Sequence, residues 1–388
     1  MSEPAVKEER FHFLDGLRGI AASLIVIHHA FTANIVKLFD HLNLHIVGYY
    51  FQNFTQSGVD LFFVLSGVVL LRPYLRKQRQ FKVGNYFARR VKRIYPPYFF
   101  ALLFASFVIW FNNQYPTWYN KNGLRARFFW WETIKEAAII NLDGQYYNLA
   151  WWSLQIEIVF YLLAPLFIFI FPRQDRLNGR NIAIAIVITV MSTIGLQLLF
   201  TDHLAIIYSL TYNTATIGRF IEYPLCFLMG VLLAAKDFSN RYAQYFILSG
   251  LVLIGCAWLH IVPYMQTHYT QFVHPGFALV YAGVIILAFN MRSYSRWLDT
   301  PAMIWLGERS YSLFLVHFSV FYLTDNIISH FTSERDTTYA LLTRLVGIPI
   351  ALFAAMLLFH FVERRQARGL VTGDAFWPWG LGSKIIGK

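Results

Sequence analysis

Long apolar runs, each of roughly 20 residues, dominate the hydrophobic pattern of the chain. A run of this length is what an α-helix needs to cross the hydrocarbon core of a bilayer. The runs do not alternate in polarity as the strands of a membrane barrel would, so helices are the expected spanning element. We predict an all-α fold with ten transmembrane helices. They begin near Leu14, Gly58, Ile94, Ala150, Asn181, Thr216, Ala243, Pro275, Pro301 and Ala340.

Composition and charge agree with a polytopic membrane protein. Over 388 residues, 57% are hydrophobic and only 14% are charged, which is too apolar for a soluble domain. The net charge of +12 raises the question of nucleic-acid binding. However, 23 of the 33 Lys and Arg residues fall in segments on one side of the predicted membrane, and only 6 fall on the other. The positive-inside rule therefore predicts that both termini are cytoplasmic.

The predicted domain organisation is simple. Residues 1–370 are expected to form one integral membrane domain, followed by a short cytoplasmic tail over 371–388, and the first span is not a cleaved signal peptide. Cys226 and Cys256 both lie within predicted spans, so we expect neither a disulfide framework nor a metal site. In the long outer segment, "TIKEAAII" predicts a short amphipathic surface helix.

The first span, "LDGLRGIAASLIVIHH", carries polar groups that lipid disfavours. Arg18 and His29 are eleven residues apart, so a helix places them on one face and roughly 16 Å apart along its axis. His28 points off that face and is expected to be structural. His29 taken alone fits a packing residue equally well, but the arginine on the same face favours a functional role.

Other spans place polar residues at a depth similar to that of His29. Ionisable groups that converge at one depth predict an internal polar cavity. The simpler interpretation is a set of ion pairs that tie helices together, and Arg219 with Glu222 fits it well. The remaining residues at or near this depth are Glu157 and Ser153 in the fourth span, His317 in the ninth and Asp60 in the second.

A second basic group lies just before the third span, in "YFARRVKRIYPPY". Such residues often act only as topology signals or bind the head groups of membrane lipids. Arg90 and Arg93 are three residues apart on one helical face, and guanidinium forks suit phosphate oxygens. These two residues therefore favour a phosphorylated cytoplasmic ligand.

Five stretches of the chain resemble the acyltransferase-3 family of integral membrane O-acyltransferases. They are the R-x10-H of Arg18 and His29, "GVDLFFVLSGVVLL", the R-x-x-R of Arg90 and Arg93, "WWSLQIEIVFYL" and "YSLFLVH", in the family's order. The chain departs from the family at Gln155, Ile158 and Val159, where members often carry serine, glutamate and glutamine.

The resemblance implies transfer of an acyl group, most often acetyl, from cytoplasmic acyl-CoA to a hydroxyl of a glycan or lipid-linked sugar at the plasma membrane. Family members often carry an extra soluble extracytoplasmic domain, whereas this chain ends about 25 residues after its last predicted span, so we expect a stand-alone transferase. Arg18, Arg90 and Arg93 would bind the phosphates of CoA, and His29 would be the general base, since its unperturbed pKa lies near neutrality. Glu157 would orient His29 or stabilise its protonated form, and Ser153 would assist as a nearby polar group. Asp60, Ser66 and His317 are further site candidates.

A secondary transporter is the alternative, with the same buried His and Glu residues as a proton relay. Many transporters contain two repeats, each with a span interrupted by Gly or Pro at the corresponding position. The sequence shows no such pair of spans, which argues against a transporter. A purely structural role is a third possibility, and it leaves the shared depth of these residues unexplained.

Overall fold

The computed structural model describes residues 11–76, 80–117, 130–139, 147–170, 178–208, 221–259, 270–332 and 337–364. Every regular element within these ranges is helical, which confirms the all-α class. The first half contains α1 (His12–His41), α2 (His45–Gln56), α3 (Gly58–Leu75), α4 (Val83–Gln114), α5 (Trp130–Ala137), α6 (Trp152–Ile170) and α7 (Gly179–Tyr208). The second half contains α8 (Pro224–Ala235), α9 (Asn240–Trp258), α10 (Thr270–Asn290), α11 (Arg292–Ser295), α12 (Pro301–Glu308), α13 (Ser310–Ile328) and α14 (Thr337–Leu358).

Three short helical turns complete the architecture. The 3-10 turns Leu149–Trp151 and Arg296–Asp299 precede α6 and α12, and the π-helical turn Phe359–Glu363 continues α14. The surface helix predicted in the long outer segment is present as α5, with Trp130, Trp131 and Ile134 exposed.

Seven helical segments are long and apolar enough to cross a membrane, counted over the described ranges. They are His12–His41, His45–Leu75, Val83–Gln114, Leu149–Phe169, Phe272–Asn290, Ser310–Ile328 and Leu342–Glu363. The chain is therefore built as a multi-pass membrane protein.

The other three predicted spans, which begin near Asn181, Thr216 and Ala243, fall on α7, α8 and α9. Helix α8 has only 12 residues, a length of about 18 Å, which is too short to cross a bilayer core alone. The residues before it, 209–220, and the predicted tail, 371–388, lie outside the described ranges. The count of ten spans and the membrane orientation stay predictions.

The structure corrects three predicted boundaries. Helix α2, which the sequence did not predict, extends the second span backwards to His45. The third span begins at Val83 rather than near Ile94, because the basic segment is already helical. The ninth span is divided at Arg309 into α12 and α13, and only α13 is long enough to cross.

Helix α1 holds a central position and packs against α2, α3, α12, α13 and α14. Glycine permits the closest approaches, as in many membrane helix pairs. A Cβ added at Gly307 of α12 would collide with the carbonyl oxygen of Asp15 in α1. A Cβ added at Gly67 of α3 would lie 2.7 Å from the Cα of Gly230 in α8. The contact between Gly307 and Asp15 fixes the level of α1, which bears Arg18 and His29, relative to α12.

Candidate functional site

Arginines from two helices meet near the first turns of α1. Arg18 of α1 is only 11% exposed and lies 3.8 Å from the carboxylate of Asp15. The charges that act on Arg18 include those of Arg93 from α4 and Glu157 from α6. The structure thus places Arg18 near Arg93. We call Arg18, Arg90, Arg93, Glu157 and Glu363, with Tyr161, the arginine cluster.

Arg90 is a buried cation of unusual environment. It is 5% exposed, and its guanidinium carbon lies 5.7 Å from the ring centres of both Tyr86 and Tyr161. We find no carboxylate or hydrogen-bond partner for Arg90 within the part of the chain that the structure describes, and its Nε is buried without one. A buried charge is costly unless it is paired. This environment suits an anionic ligand.

Glu157 belongs to the arginine cluster and not to the surroundings of His29. Its Oε1 accepts a hydrogen bond of 3.1 Å from the hydroxyl of Ser66 and another from the hydroxyl of Tyr161. Among the described residues we find no hydrogen bond between Glu157 and His29. The expected contact between these two residues is therefore corrected, while Ser66 joins the site through Glu157.

The reason for this correction is the level at which α6 begins. The Asn148 side-chain nitrogen and the Trp151 ring nitrogen both donate to the carbonyl oxygen of Leu315, at 3.1 and 3.2 Å. The start of α6 therefore lies within one turn of His317 on α13. Glu157 follows Trp151 by six residues, about 9 Å further along the helix.

Glu363 is a member of the arginine cluster that the sequence reasoning missed. It is 6% exposed, accepts a hydrogen bond of 2.8 Å from Ser312, and its charged neighbours are Arg93, Arg18 and Arg309. It ends the π-helical turn that follows α14, and such turns occur frequently at functional sites.

His29 and His317 form the second group of the site. Their ring centres lie 5.3 Å apart, with 34° between the planes. The rings of Phe318 and His28 lie 5.2 and 5.1 Å from that of His29. His29 is partly exposed, and we find no hydrogen bond to its ring among the described residues. The sequence predicted that these two histidines share a depth, and the structure places them side by side.

The orientation of His317 follows from its own helix. Its Nδ1 lies 3.0 and 2.9 Å from the carbonyl oxygens of Leu313 and Phe314. Carbonyls only accept, so Nδ1 carries the proton. The side chain is fully buried, and its Nε2 has no hydrogen-bond partner in the described ranges. In the neutral ring, this nitrogen is an acceptor.

His28 makes a separate polar contact with α2, although its ring lies beside that of His29. Its Nδ1 lies 3.0 Å from the Thr55 hydroxyl, which in turn lies 3.2 Å from the hydroxyl of Thr32. This polar contact between α1 and α2 agrees with the structural role expected for His28.

Asp60 lies in a separate buried network. Its carboxylate is 2.9 Å from Nδ1 of His274 and accepts a contact of 3.4 Å from the thiol of Cys226. Nε2 of His274 is 3.3 Å from the Tyr223 hydroxyl and 4.0 Å from Glu222. Asp60 is therefore engaged by α8 and α10, and we find no hydrogen bond between it and the histidines of α1 and α13 in the described ranges.

The remaining candidates add little polar chemistry. Ser153 is buried one turn before Glu157, and we find no hydrogen bond of its hydroxyl within the described residues. Arg219 lies outside those residues, so its predicted pairing with Glu222 lies outside them as well. Cys226 and Cys256 are both free thiols, and the described part of the chain contains no group of three or more metal-ligating side chains.

The chain matches the family described as an acyltransferase domain over residues 11–360. It belongs to this acyltransferase-3 family. Arg18, His29, Arg90, Arg93, Glu157 and His317 all lie inside the matched range, whereas Glu363 lies just beyond it. The resemblance stated from the five stretches is confirmed.

Curated relatives of the family cover nearly all of the chain. The chain is 24% identical over 387 residues to the O-acetyltransferase OatA of Staphylococcus aureus (strain NCTC 8325 / PS 47), covering 94% of this chain and 58% of that protein. It is 22% identical over 373 residues to the peptidoglycan O-acetyltransferase OatA of Listeria monocytogenes, covering 90% of this chain and 54% of that protein. The putative peptidoglycan O-acetyltransferase YrhL of Bacillus subtilis is 23% identical over 374 residues, with the same coverage.

The chain thus spans little more than half the length of these relatives. No solved structure gives a significant match.

Proposed function

We propose that this protein is a membrane O-acyltransferase that moves an acyl group, acetyl in the first instance, from cytoplasmic acyl-CoA to a hydroxyl of a cell-envelope glycan or lipid-linked sugar. Membership of an acyltransferase family supports the reaction class. The names of the relatives support acetyl as the group and peptidoglycan as the type of acceptor. Such an acceptor favours the plasma membrane.

The arginine cluster is the proposed donor end. Three guanidinium groups from α1 and α4 offer forked donors to phosphate oxygens. Arg90 supports this assignment most directly, because it is buried between two tyrosine rings and has no carboxylate partner in the described part of the chain. Glu157 and Glu363 supply counter-charges to Arg18 and Arg93, which keeps the arginines oriented when no phosphate neutralises them.

The pair His29 and His317 is the proposed reaction end. His29 takes the proton of the acceptor hydroxyl, and the oxygen attacks the acyl carbonyl carbon. A C–O bond forms, the C–S bond to CoA breaks, and the departing thiolate takes up the proton from His29. His317 presents Nε2 beside this centre as a buried acceptor, held in place by its two backbone contacts.

Helix α1 connects the two ends, and this relationship carries the proposal. One uninterrupted helix, His12–His41, bears both Arg18 and His29, about 16 Å apart along its axis. The phosphates of a CoA thioester and its acyl group are likewise at opposite ends of an extended pantetheine arm. A donor lying along α1 would therefore present its acyl group to His29 while its phosphates contact the arginines.

The proposed orientation puts the arginine cluster on the cytoplasmic side. The excess of Lys and Arg in alternate connecting segments supports a cytoplasmic N-terminus. This places the donor cluster where acyl-CoA is available and places His29 closer to the outer side, where an envelope glycan would arrive. Ten spans would keep both termini on the same side.

The test is transfer by the purified protein in lipid vesicles, with radiolabelled acetyl-CoA and a muramic-acid-containing glycan as acceptor. We expect acid-stable, alkali-labile label on the glycan, absent with His29→Ala and retained with His28→Ala, the matched control from the adjacent position. Label transferred equally by His29→Ala would remove that residue from the mechanism. A substrate-dependent current without acyl-CoA, and no transfer with any acyl-CoA, would favour the transporter.

A further inference from the structure

Arg344 of α14 joins α1 and α13 by three hydrogen bonds. Its Nε donates to the carbonyl oxygen of Ala30 at 3.0 Å. Its two terminal nitrogens donate to the two carboxylate oxygens of Asp325, at 2.9 and 3.2 Å. Asp325 is 3% exposed, so the fork of the guanidinium is matched to a buried carboxylate. This bidentate geometry fixes both partners more tightly than a single charge contact does.

Arg344 approaches both members of the histidine pair through intermediate groups. Ala30 is the residue after His29 in α1, so the Nε bond holds the backbone beside the proposed base. The guanidinium carbon also lies 5.0 Å from the ring centre of Phe321, and the ring of Phe321 packs edge-on against His317 at 5.9 Å. Arg344 therefore reaches one histidine through the main chain and the other through an aromatic ring.

Arg344 is also among the groups close enough to His29 to act on it electrostatically. The others are His317 from α13 and His28 from α1.

A contribution to protein stability is not a sufficient reason for the buried ion pair between Arg344 and Asp325. A buried ion pair often contributes no more stability than well-packed apolar residues of similar volume. The chain contains a second arginine with the same set of bonds, which serves as a comparison. Arg76 donates through Nε to the carbonyl oxygen of Ala234 and through both terminal nitrogens to Asp237, but Asp237 is 72% exposed and none of the proposed site residues is involved.

We propose that Arg344, held by Asp325, is a positioning residue that sets the His29 ring against His317 for proton transfer. This proposal rests on the proposed function of His29 as the base. It gives a role to an intramembrane arginine that the sequence pattern left unassigned.

The test compares turnover and donor binding in paired variants. Because Arg344→Met alone removes the arginine from a buried carboxylate, the main variant is Arg344→Met with Asp325→Leu, which removes both charges together. We expect a fall in kcat of about 100-fold from the displaced base, with the KM and Kd for acetyl-CoA unchanged. Arg344→Lys, which keeps the charge but loses the fork, should recover part of kcat.

Arg76→Met with Asp237→Leu is the matched control and should keep kcat close to that of the wild type. A folded Arg344→Met/Asp325→Leu variant with wild-type kcat would overturn the proposal.

A second readout does not depend on transferase activity. Carbethoxylation of His29 by diethyl pyrocarbonate, quantified by mass spectrometry against His28 in the same protein, reports how the ring is held. We expect the ratio of His29 to His28 labelling to change at least threefold in the Arg344→Met/Asp325→Leu variant and to stay constant in the control. An unchanged ratio would contradict the positioning role. If the wild type transferred no acyl group but the ratio changed, the proposed function would fail while the positioning role stood.

Discussion

The imidazole rings of His29 and His317 lie 5.3 Å apart, although 288 positions separate them in the sequence. His29 is partly exposed, while His317 is fully buried, with Nδ1 held by two backbone carbonyls and Nε2 without a hydrogen-bond partner in the described ranges. Two histidines from different helices thus form a single polar centre inside an apolar bundle.

His317→Phe should lower kcat while leaving donor binding intact, because phenylalanine keeps a ring of similar shape and removes Nε2. The expected loss is about 10- to 100-fold, at the lower end of what a proton-transfer group contributes. Transfer rates and acetyl-CoA affinity of the purified variant check this. His330→Phe, at an exposed position two residues beyond the end of α13, is the control. Unchanged turnover in His317→Phe would show that His317 takes no part in the reaction and that His29 acts without it.

Glu157→Gln should tighten donor binding roughly three- to tenfold, since one negative charge near the phosphate-binding arginines disappears. Glutamine keeps a carbonyl oxygen that still accepts from Ser66 and Tyr161, so the local geometry should persist. Isothermal titration with acetyl-CoA measures the affinity. If Glu157→Gln instead lost most of kcat and kept its affinity for acetyl-CoA, Glu157 would act on His29 and not on the donor site.

His274→Ala should destabilise the protein by about 3 kcal/mol, because it leaves the buried carboxylate of Asp60 without its main partner. The control is His45→Ala, which removes an exposed His–Asp contact of 2.7 Å with Asp40 and should cost at most about 1 kcal/mol. Unfolding in detergent, followed by heat or denaturant, compares the two. If His274→Ala kept the stability of the wild type but lost acyl transfer, Asp60 and His274 would have a role in the reaction.

Gly307→Ala should separate α12 from α1, because its Cβ would collide with the carbonyl oxygen of Asp15. We expect a loss of stability together with weaker donor binding, since Asp15 pairs with Arg18. Gly255→Ala of α9 has open space around the added Cβ and should be neutral or slightly stabilising, as alanine is favoured over glycine in helices. Equal stability of the two variants would show that the α1–α12 contact adjusts easily.

Residues related by local helix geometry were predictable from sequence. Arg18 and His29 lie on one helix, and Arg90 and Arg93 lie one turn apart, so their relationships follow from the rise per residue. Residues whose partners come from distant helices were not predictable in the same way. His274 contacts Asp60, Glu363 contacts Ser312 and Arg344 contacts Asp325. No local pattern in the sequence indicates any of these pairs.

The misplacement of Glu157 has a definite physical cause. The sequence estimate assumed that all spans end in one plane, so that depth could be counted from the end of each apolar run. Asn148 and Trp151 instead anchor the start of α6 to Leu315, near His317, and the helix then carries Glu157 towards Arg18. The contacts between helix ends decide the depth, and the apolar pattern does not contain them.

The most direct test of the account is whether donor binding and transfer separate between the two ends of α1. Binding and turnover of radiolabelled acetyl-CoA by the purified protein would be measured beside His29→Ala, Arg90→Ala/Arg93→Ala and the exposed control Lys92→Ala. The account predicts wild-type binding without transfer in His29→Ala, lost binding in the double arginine variant, and wild-type behaviour in Lys92→Ala. Full acetyl-CoA affinity in the double arginine variant would contradict it.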